Sequence, residues 1–558
     1  MKFRFSKYQL QGREKILQRF LEILPGATSW TILLGMLFLS LWKPVVAAVW
    51  IIAFDLYWFL RLLYMTLFLV LAYLRLSAER ETDWMERVRA LGRLDEALQD
   101  LPGLPLKSNL AQRVSLSIHR KELESLRTSG MRLPAWNEIY HLVIIPIMKE
   151  GREIVEPGIK SLTEQKFPPG NILVVLAVEG RSEEAIQKGA REIRHRYGDG
   201  FLDCLVVTHP DGLPGEARVK GANVSYAAQE AAKFFKAQKI PFEQVIASCF
   251  DADTIVGPDY FACLTYHFMI SPDRTQASFQ PIPVYHNNIW EVPGFARVLD
   301  IGASFMQLVE ATNPDKLVTF SSHSMSFKAL VEVGYWPVDM ISDDSAIFWK
   351  AFIHFDGHYR VIPMYVTLSM DVAAAETWWK TAANVYRQKR RWAWGVENFP
   401  IVTRAFLKAN EIPLSTKIRH GFKLFESHLT WATGAFLLAV IGWLPALFAG
   451  REFSNTVLYY SAPRIKDIIF NLASISLVIT ILLSFSLLPK KQLRHPLLKR
   501  FGHAIEWLFV PAIFIFLSAL PALDAQTRLM LGRQMEFWVT QKGRKSFQGL
   551  TTSSPATA

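Results

Sequence analysis

Cysteine is scarce: Cys204, Cys249 and Cys263 are the only three in 558 residues. Their spacing fits neither a disulfide framework nor a zinc site, so small buried side chains in a reducing compartment are expected. No glycine-rich phosphate turn follows the first predicted strand, which excludes a dinucleotide domain built for hydride transfer. No nucleic-acid fold signature accompanies the net charge of +12, so a nucleic-acid partner is not expected. The N-terminus lacks the short apolar core and nearby small-residue cleavage site of a signal peptide. Ionisable residues are few in the apolar runs, which argues against a transporter.

What is present is unevenly spread. Hydrophobic residues make up 51% of the chain. Long apolar runs occupy 30–76, 421–449, 467–488 and 504–523, whereas 77–420 has a soluble protein's mixture. This pattern predicts a large aqueous domain between two membrane blocks. The first run breaks at Trp42-Lys43-Pro44, so a helix to about Leu41 and another from Pro44 to about Leu76 are expected. Asp55 and Arg61 fall inside the second span, where an ion pair or snorkelling is the default.

The basic N-terminus implies a cytosolic start, which makes 77–420 cytosolic. Lys417, Arg419, His420 and Lys423 agree, as do Lys490, Lys491, Arg494, Lys499 and Arg500. A fifth span over 504–523 would leave the basic, cytosolic-looking tail outside. One segment is therefore re-entrant or one span is miscounted. The expected organisation is a basic cytosolic N-terminus (1–29), a two-span hairpin (30–76) and a helical connector (77–136). A catalytic domain (137–370), amphipathic interfacial helices (371–420), a block of about three spans (421–523) and a basic tail (524–558) follow.

Within the aqueous region, short apolar runs at 141–147, 171–178, 201–208 and 244–250 alternate with helical stretches at 152–166, 182–196 and 221–238. Such alternation predicts βαβ units and a mostly parallel sheet. Ligands bind beyond the carboxyl ends of such strands. Glu150, Glu179, Lys220, Asn223, Asp251 and Asp253 all follow strands.

Asp251-Ala252-Asp253 at a strand exit can meet one hard cation, since Mg²⁺ takes one or two carboxylates plus phosphate oxygens. A plain turn is the competing reading. Asp343-Asp344 opens a helical pattern. It is either acidic residues at a helix start or a general base for a hydroxyl acceptor. Gln388, Arg391 and Trp392 share one helical face, which fits either a site or a membrane-interface helix with snorkelling cations. Lys389 and Arg390 project elsewhere, toward solvent or lipid phosphate. Neutralising Lys389 is therefore expected to matter far less than neutralising Arg391.

The ordered set of Pro146-x-x-x-Glu150, Lys220-x-x-Asn223, Asp251-x-Asp253, an acidic pair and Gln388-x-x-Arg391-Trp392 resembles the membrane-bound, processive-type branch of glycosyltransferase family 2, with cellulose and hyaluronan synthases. The resemblance covers roughly 141–400. It implies a GT-A fold, α/β and Rossmann-like with a mostly parallel sheet, flanked by transmembrane helices. It further implies that Glu150 and Glu179 contact the nucleoside, that Lys220 approaches the diphosphate, and that Asn223 belongs to the donor site. Asp251 would hold the nucleotide-sugar and Asp253 would ligate Mg²⁺ or Mn²⁺. The family's Thr-Glu-Asp reads here as Ser342-Asp343-Asp344, making Asp344 the general base with Asp343 beside it. Gln388, Arg391 and Trp392 would line the acceptor and diphosphate side.

Two departures stand out. The family's Asp pair after the second strand is Val178-Glu179-Gly180, and Asp343 replaces a Glu. His323 lies where the family binds acceptor, although a satisfied structural histidine is the plainer reading. The resemblance implies an inverting transferase of the cytoplasmic membrane that moves sugar from a nucleoside-diphosphate sugar to a growing polysaccharide or glycan. Export or accessory subunits are candidate partners. Two alternatives are a non-processive enzyme that loads one sugar onto a lipid or polyprenyl phosphate, and an inactive nucleotide-binding subunit of an export complex.

Overall fold

The computed structural model describes residues 3, 5–8, 10–100, 110–448, 475–487 and 505–540. At its centre is an eight-stranded sheet: β1 (Tyr140–Ile147), β2 (Ile172–Glu179), β3 (Asp203–His209), β4 (Val245–Cys249), β5 (Ile255–Val256), β6 (Ala277–Tyr285), β7 (Ser324–Ser326) and β8 (Arg360–Met370). Their order is β3-β2-β1-β4-β7-β6-β8-β5. One half, β3-β2-β1-β4, is wholly parallel. In the other half β7 runs antiparallel to both β4 and β6, β6 and β8 are parallel, and β5 closes the edge antiparallel to β8. The sheet is thus mixed and mostly parallel, within the α/β class expected from the sequence.

The parallel half forms because its strands are apolar on both faces. Alternate residues go to opposite sides, as a pleated strand requires. Val143, Ile145, Val174 and Leu176 join Val155, Ile159 and Leu162 of the helix Arg152–Thr163. Leu142, Ile144, Leu173 and Val175 face Val224, Ala227, Ala231 and Phe235 of the helix Lys220–Ala237. The second half is less regular. The β6–β8 register shifts between Gln280 and Ile282, opposite the Pro363 region of β8. Such a shift is how a strand accommodates a proline.

Among the described residues three helices are long and apolar enough to cross a membrane: Gly12–Trp42, Pro44–Glu79 and Trp507–Met530. Leu414–Ala439 and Ile441–Phe448 together form a fourth candidate, bent by 41°. The first helix begins at Gly12, well before the apolar run that marks it in sequence, so much of the supposed polar N-terminus is helical. The second starts at Pro44 as expected. Arg61 inside it pairs with Glu426 of the helix Leu414–Ala439. The 467–488 run is described only over the helix Ile475–Leu487, and the rest of it lies outside the described residues. Lys490, Lys491, Arg494, Lys499 and Arg500, and the tail beyond 540, lie outside the described residues.

Candidate active site

Beyond the carboxyl ends of β1, β2 and β4, three acidic side chains converge on one ammonium. Lys220, the first residue of its helix, lies 3.0 Å from Asp251 Oδ1, 3.0 Å from Asp344 Oδ1 and 3.7 Å from Asp343 Oδ2. Gly221 permits the approach: a Cβ there would sit 2.2 Å from the Pro337 carbonyl oxygen and 3.3 Å from Asp343 Cβ. Burial opposes the lysine's charge, but Asp251, Asp343 and Asp344 outweigh it and hold the ammonium well above its ordinary range.

The acidic pair opens the helix Asp343–His354. Its two members differ in exposure. The Asp343 side chain is 4% exposed and that of Asp344 is 26% exposed. Burial pushes the Asp343 carboxyl up to about 7, against the opposing pull of Lys220. Asp344 therefore presents its carboxylate to the cleft, while Asp343 lies behind it. Asp251 also accepts a 2.6 Å bond from Ser321 Oγ. His323 Nδ1 donates to the Phe320 carbonyl at 3.1 Å and lies 4.0 Å from Asp344 Oδ1. Burial lowers its pKa, so it is neutral. It is a core histidine at the cleft floor, bonded through one nitrogen.

Other residues singled out in the sequence take supporting places. Asn223 is buried and donates to the Ala177 carbonyl at 2.7 Å, tying the Lys220 helix to β2. Glu150 accepts from the Met148 and Lys149 amides at 2.9 and 3.0 Å, which fixes the turn after β1. Glu179 pairs with Arg181 and, with His209 and Glu216, lines a cavity of about 120 Å³ beside Val219.

Asp253 is fully buried, with Oδ2 accepting from the Asp371 amide at 2.7 Å. Among the described residues no group of three or more His, Cys, Asp or Glu side chains forms a ready-made metal cage. The donor set still fits a divalent cation. Three carboxylates (Asp251, Asp343 and Asp344) meet Lys220, Asp253 follows Asp251 by two residues, and hard oxygen donors of this kind suit Mg²⁺ or Mn²⁺ completed by phosphate oxygens.

Gln388, Arg391 and Trp392 lie on the helix Trp378–Ala393. Trp392 packs against Phe320 and Tyr285 at centroid distances of 5.7 and 6.1 Å, next to the Ser321–Asp251 contact. Gln388 is buried, and its Oε1 has no hydrogen-bond partner among the described residues. Arg391 acts electrostatically on Asp343, stacks over Phe537 at 5.3 Å and reaches Thr540 Oγ1 at 3.4 Å.

Contrary to what the sequence suggested, Lys389 faces neither solvent nor lipid phosphate. Its side chain is 4% exposed and ion-paired with Asp300 at 2.6 Å, with the ammonium 3.8 Å from the Trp392 ring centroid. The helix Gly294–Ala311 carries Asp300 to that face. A Lys followed by a Trp three residues on reads equally well as a lipid-facing pair, so nothing local could reveal the partner. Arg390 pairs with Asp524 at 2.8 Å instead of facing solvent alone. Phe537, Thr540, Ser321 and Asp300 were not picked out in the sequence. Only Ser321 carried a signal, as part of the small polar run Ser321-Ser322-His323-Ser324.

Residues 248–520 match the family model described as glycosyl transferase family group 2. The poly-beta-1,6-N-acetyl-D-glucosamine synthase of Staphylococcus aureus (strain COL) is 29% identical over 174 residues, which is 30% of this chain and 39% of that protein. The alignment thus spans well under half of the relative's length. Among solved structures, the mannosyltransferase PcManGT from Pyrobaculum calidifontis in complex with GDP-Man and Mn²⁺ gives a TM-score of 0.38 at 15% identity. That alignment covers 72% of this chain and 99% of that one. S. aureus TarS 1–349 in complex with UDP-GlcNAc gives 0.34 at 12% identity, over 71% and 93%.

Proposed function

We propose, from the match of residues 248–520 to glycosyl transferase family group 2, that this chain is a glycosyltransferase of the cytoplasmic membrane, moving sugar with inversion from a nucleoside-diphosphate sugar to a growing glycan. The observation that carries the reading is the convergence of Asp251, Asp343 and Asp344 on Lys220 at the strand ends, with Asp344 alone of the acidic pair turned to the cleft.

In this reading Asp344 takes the acceptor hydroxyl's proton as the oxygen attacks the anomeric carbon from the face opposite the diphosphate. The sugar carbon–oxygen bond to the diphosphate breaks, and the new glycosidic bond forms. Lys220 now bridges Asp344 and Asp251. An arriving diphosphate offers its ammonium a stronger partner and frees Asp344 to act as a base. Lys220 and Arg391 then stabilise charge growing on the leaving group. Asp253, with Asp251 near it, would hold a divalent cation that offsets diphosphate charge. Trp392, backed by Phe320 and Tyr285, offers an apolar platform on which the acceptor sugar stacks.

The apolar helices support a membrane location. Residues 537–540 pack against the helix Trp378–Ala393, through Arg391 and through Arg387 stacked on Trp538 at 5.4 Å. The chain thus returns to the catalytic side after Met530. Such a return calls for an even number of crossings after Lys408, and among the described residues the bent 414–448 pair and the helix Trp507–Met530 supply two.

The test is a screen of radiolabelled nucleotide-sugars against membranes carrying the full chain, with UDP-N-acetylglucosamine first because of the relative's named product. Sizing the product separates a polymer from a single transfer. Incorporation that depends on a divalent cation and disappears in Asp344→Asn supports the reading. A fully active Asp344→Asn overturns it.

A further inference from the structure

The loop that delivers the acidic pair is short of local support. Residues 333–342 form no strand or helix, and Ser342, the N-cap of the helix Asp343–His354, makes no side-chain cap bond. Support comes from elsewhere. Glu397, 2% exposed, accepts from the Ile341 amide at 3.0 Å, the Ser342 amide at 3.2 Å and Ser342 Oγ at 3.0 Å, all through Oε1. Its other oxygen, Oε2, receives Lys7 Nζ at 3.1 Å. The extreme N-terminus thus meets the residue that holds the base loop.

This contact is one of several. Ser6 Oγ donates to Asp339 Oδ2 at 2.7 Å, on the same loop. Arg404 donates to the Ser6 carbonyl at 2.7 Å and stacks on Phe3 at 5.3 Å. Phe3 and Phe5 pack on Met340, Ala346 and Ile401. Met340 precedes the acidic pair and Ala346 follows it, so the two rings cover the loop and the first helical turn from outside. Burial works against the Lys7 charge, but Glu397, Tyr8 and Asp339 raise its pKa overall, so the ammonium persists at neutral pH.

We propose that Phe3, Phe5, Ser6 and Lys7 brace the catalytic apparatus: Glu397 is a positioning residue for Asp343 and Asp344, and Lys7 is the counter-ion that fixes Glu397. The physical argument is one of over-determination. A buried carboxylate that accepts three bonds from one loop sets that loop's place, provided its own charge is compensated. Remove Lys7, and Glu397 either draws in water or turns, and Asp344 moves with the amides of 341 and 342. A displacement of about 1 Å at a base lowers turnover by up to about 10²-fold. Donor affinity, set by Lys220, Asp251 and the cavity beside Glu179, stays.

The inference rests on Asp344 being the base, and its test has one arm that needs no activity. Full-length protein in detergent is compared with Lys7→Met and Lys7→Arg by hydrogen exchange over residues 340–346. The expected result is at least about tenfold faster exchange in that stretch for Lys7→Met, protection restored in Lys7→Arg, and no change along β1 and β2. The second arm measures UDP-N-acetylglucosamine turnover in membranes. Lys7→Met is expected to lower kcat about tenfold with KM for donor within about twofold, and Lys7→Arg to recover most of it. Glu397→Gln, which can still accept from the amides, should fall between the two. Unchanged exchange over 340–346 in Lys7→Met overturns the brace. So does faster exchange with undiminished kcat, or a loss expressed in KM alone. A wild type inert toward every donor would fail the functional reading instead, while the exchange arm still decides whether Lys7 and its neighbours hold the loop.

Discussion

Lys220 and Lys389 are both buried, and their surroundings treat them oppositely. Lys220 faces three carboxylates and is held well above the ordinary lysine range. Lys389 faces one, Asp300, and is drawn below it, because a single partner does not offset burial. The difference is one of charge balance. Around Lys220 acid exceeds base, so the pocket has capacity for a further cation and a reason to exchange partners when a diphosphate arrives. Around Lys389 the count is one to one, closed by the face of Trp392. The first arrangement suits chemistry and the second suits holding a helix in place. The helix carrying Lys389 also carries Gln388, Arg391 and Trp392.

The sharpest way to break this comparison is at the acid-rich end. Asp344→Asn keeps the side-chain volume and removes the base, so transfer is expected to fall about 10³-fold with donor binding retained, as measured by turnover and by nucleotide-sugar titration. Lys220→Met comes next. It leaves Asp251 and Asp344 facing each other without their shared cation and removes the charge nearest the diphosphate. A loss of about 10²-fold in kcat is expected, with weakened donor binding in calorimetry. Equal and small effects from both substitutions would show that the acidic cluster is only a helix-start motif.

The sequence made one half of this site legible and not the other. Strands β1, β2 and β4 announce themselves as apolar runs because both faces are buried, the half-buried edge strand β3 is still apolar enough to read, and the residues after them follow by topology. Strands β5 to β8 do not. Ser324–Ser326 is short and polar, and Arg360–Met370 contains a proline and mixed residues, so neither period is clean. The same holds for contacts. Lys220 meeting Asp251 follows from both lying beyond the carboxyl ends of one parallel sheet. Lys389 meeting Asp300 depends on how two helices cross, and Lys7 meeting Glu397 joins positions 390 apart in sequence. Local pattern carries no information about such encounters. The helical-face argument placed Gln388, Arg391 and Trp392 together, but it assigned the intervening residues to solvent because it had no partner to offer them.

Lys389 now carries a different expectation from the one its sequence suggests. Lys389→Met strands the Asp300 carboxylate in a buried site, which should cost roughly 3 kcal/mol of stability. It also loosens Trp392, and about tenfold lower turnover is expected. Thermal unfolding in detergent measures the first effect and acceptor-dependent kinetics the second. The double variant Lys389→Met with Asp300→Leu removes both charges at once. It should recover most of the stability without recovering all of the turnover, because the ammonium no longer sits on the Trp392 face. Full recovery of both would show that the pair serves stability alone.

Arg390 supplies the smallest effect and the control for that experiment. It lies one residue further along the same helix and also pairs with an aspartate, Asp524, at 2.8 Å. Two things distinguish it from Lys389. Its side chain is partly exposed, so solvent screens the pair and it contributes well under about 1 kcal/mol. Asp524 keeps another cation when Arg390 is gone, since Arg528 bonds the other carboxylate oxygen at 2.7 Å. Arg390→Ala should therefore change turnover by less than about twofold and leave the unfolding midpoint nearly unmoved. A loss as large as that of Lys389→Met would mean that the contact between the Trp378–Ala393 helix and the Trp507–Met530 helix matters to catalysis as a whole. Charge balance around each cation would then no longer separate the residues that act from the residues that hold.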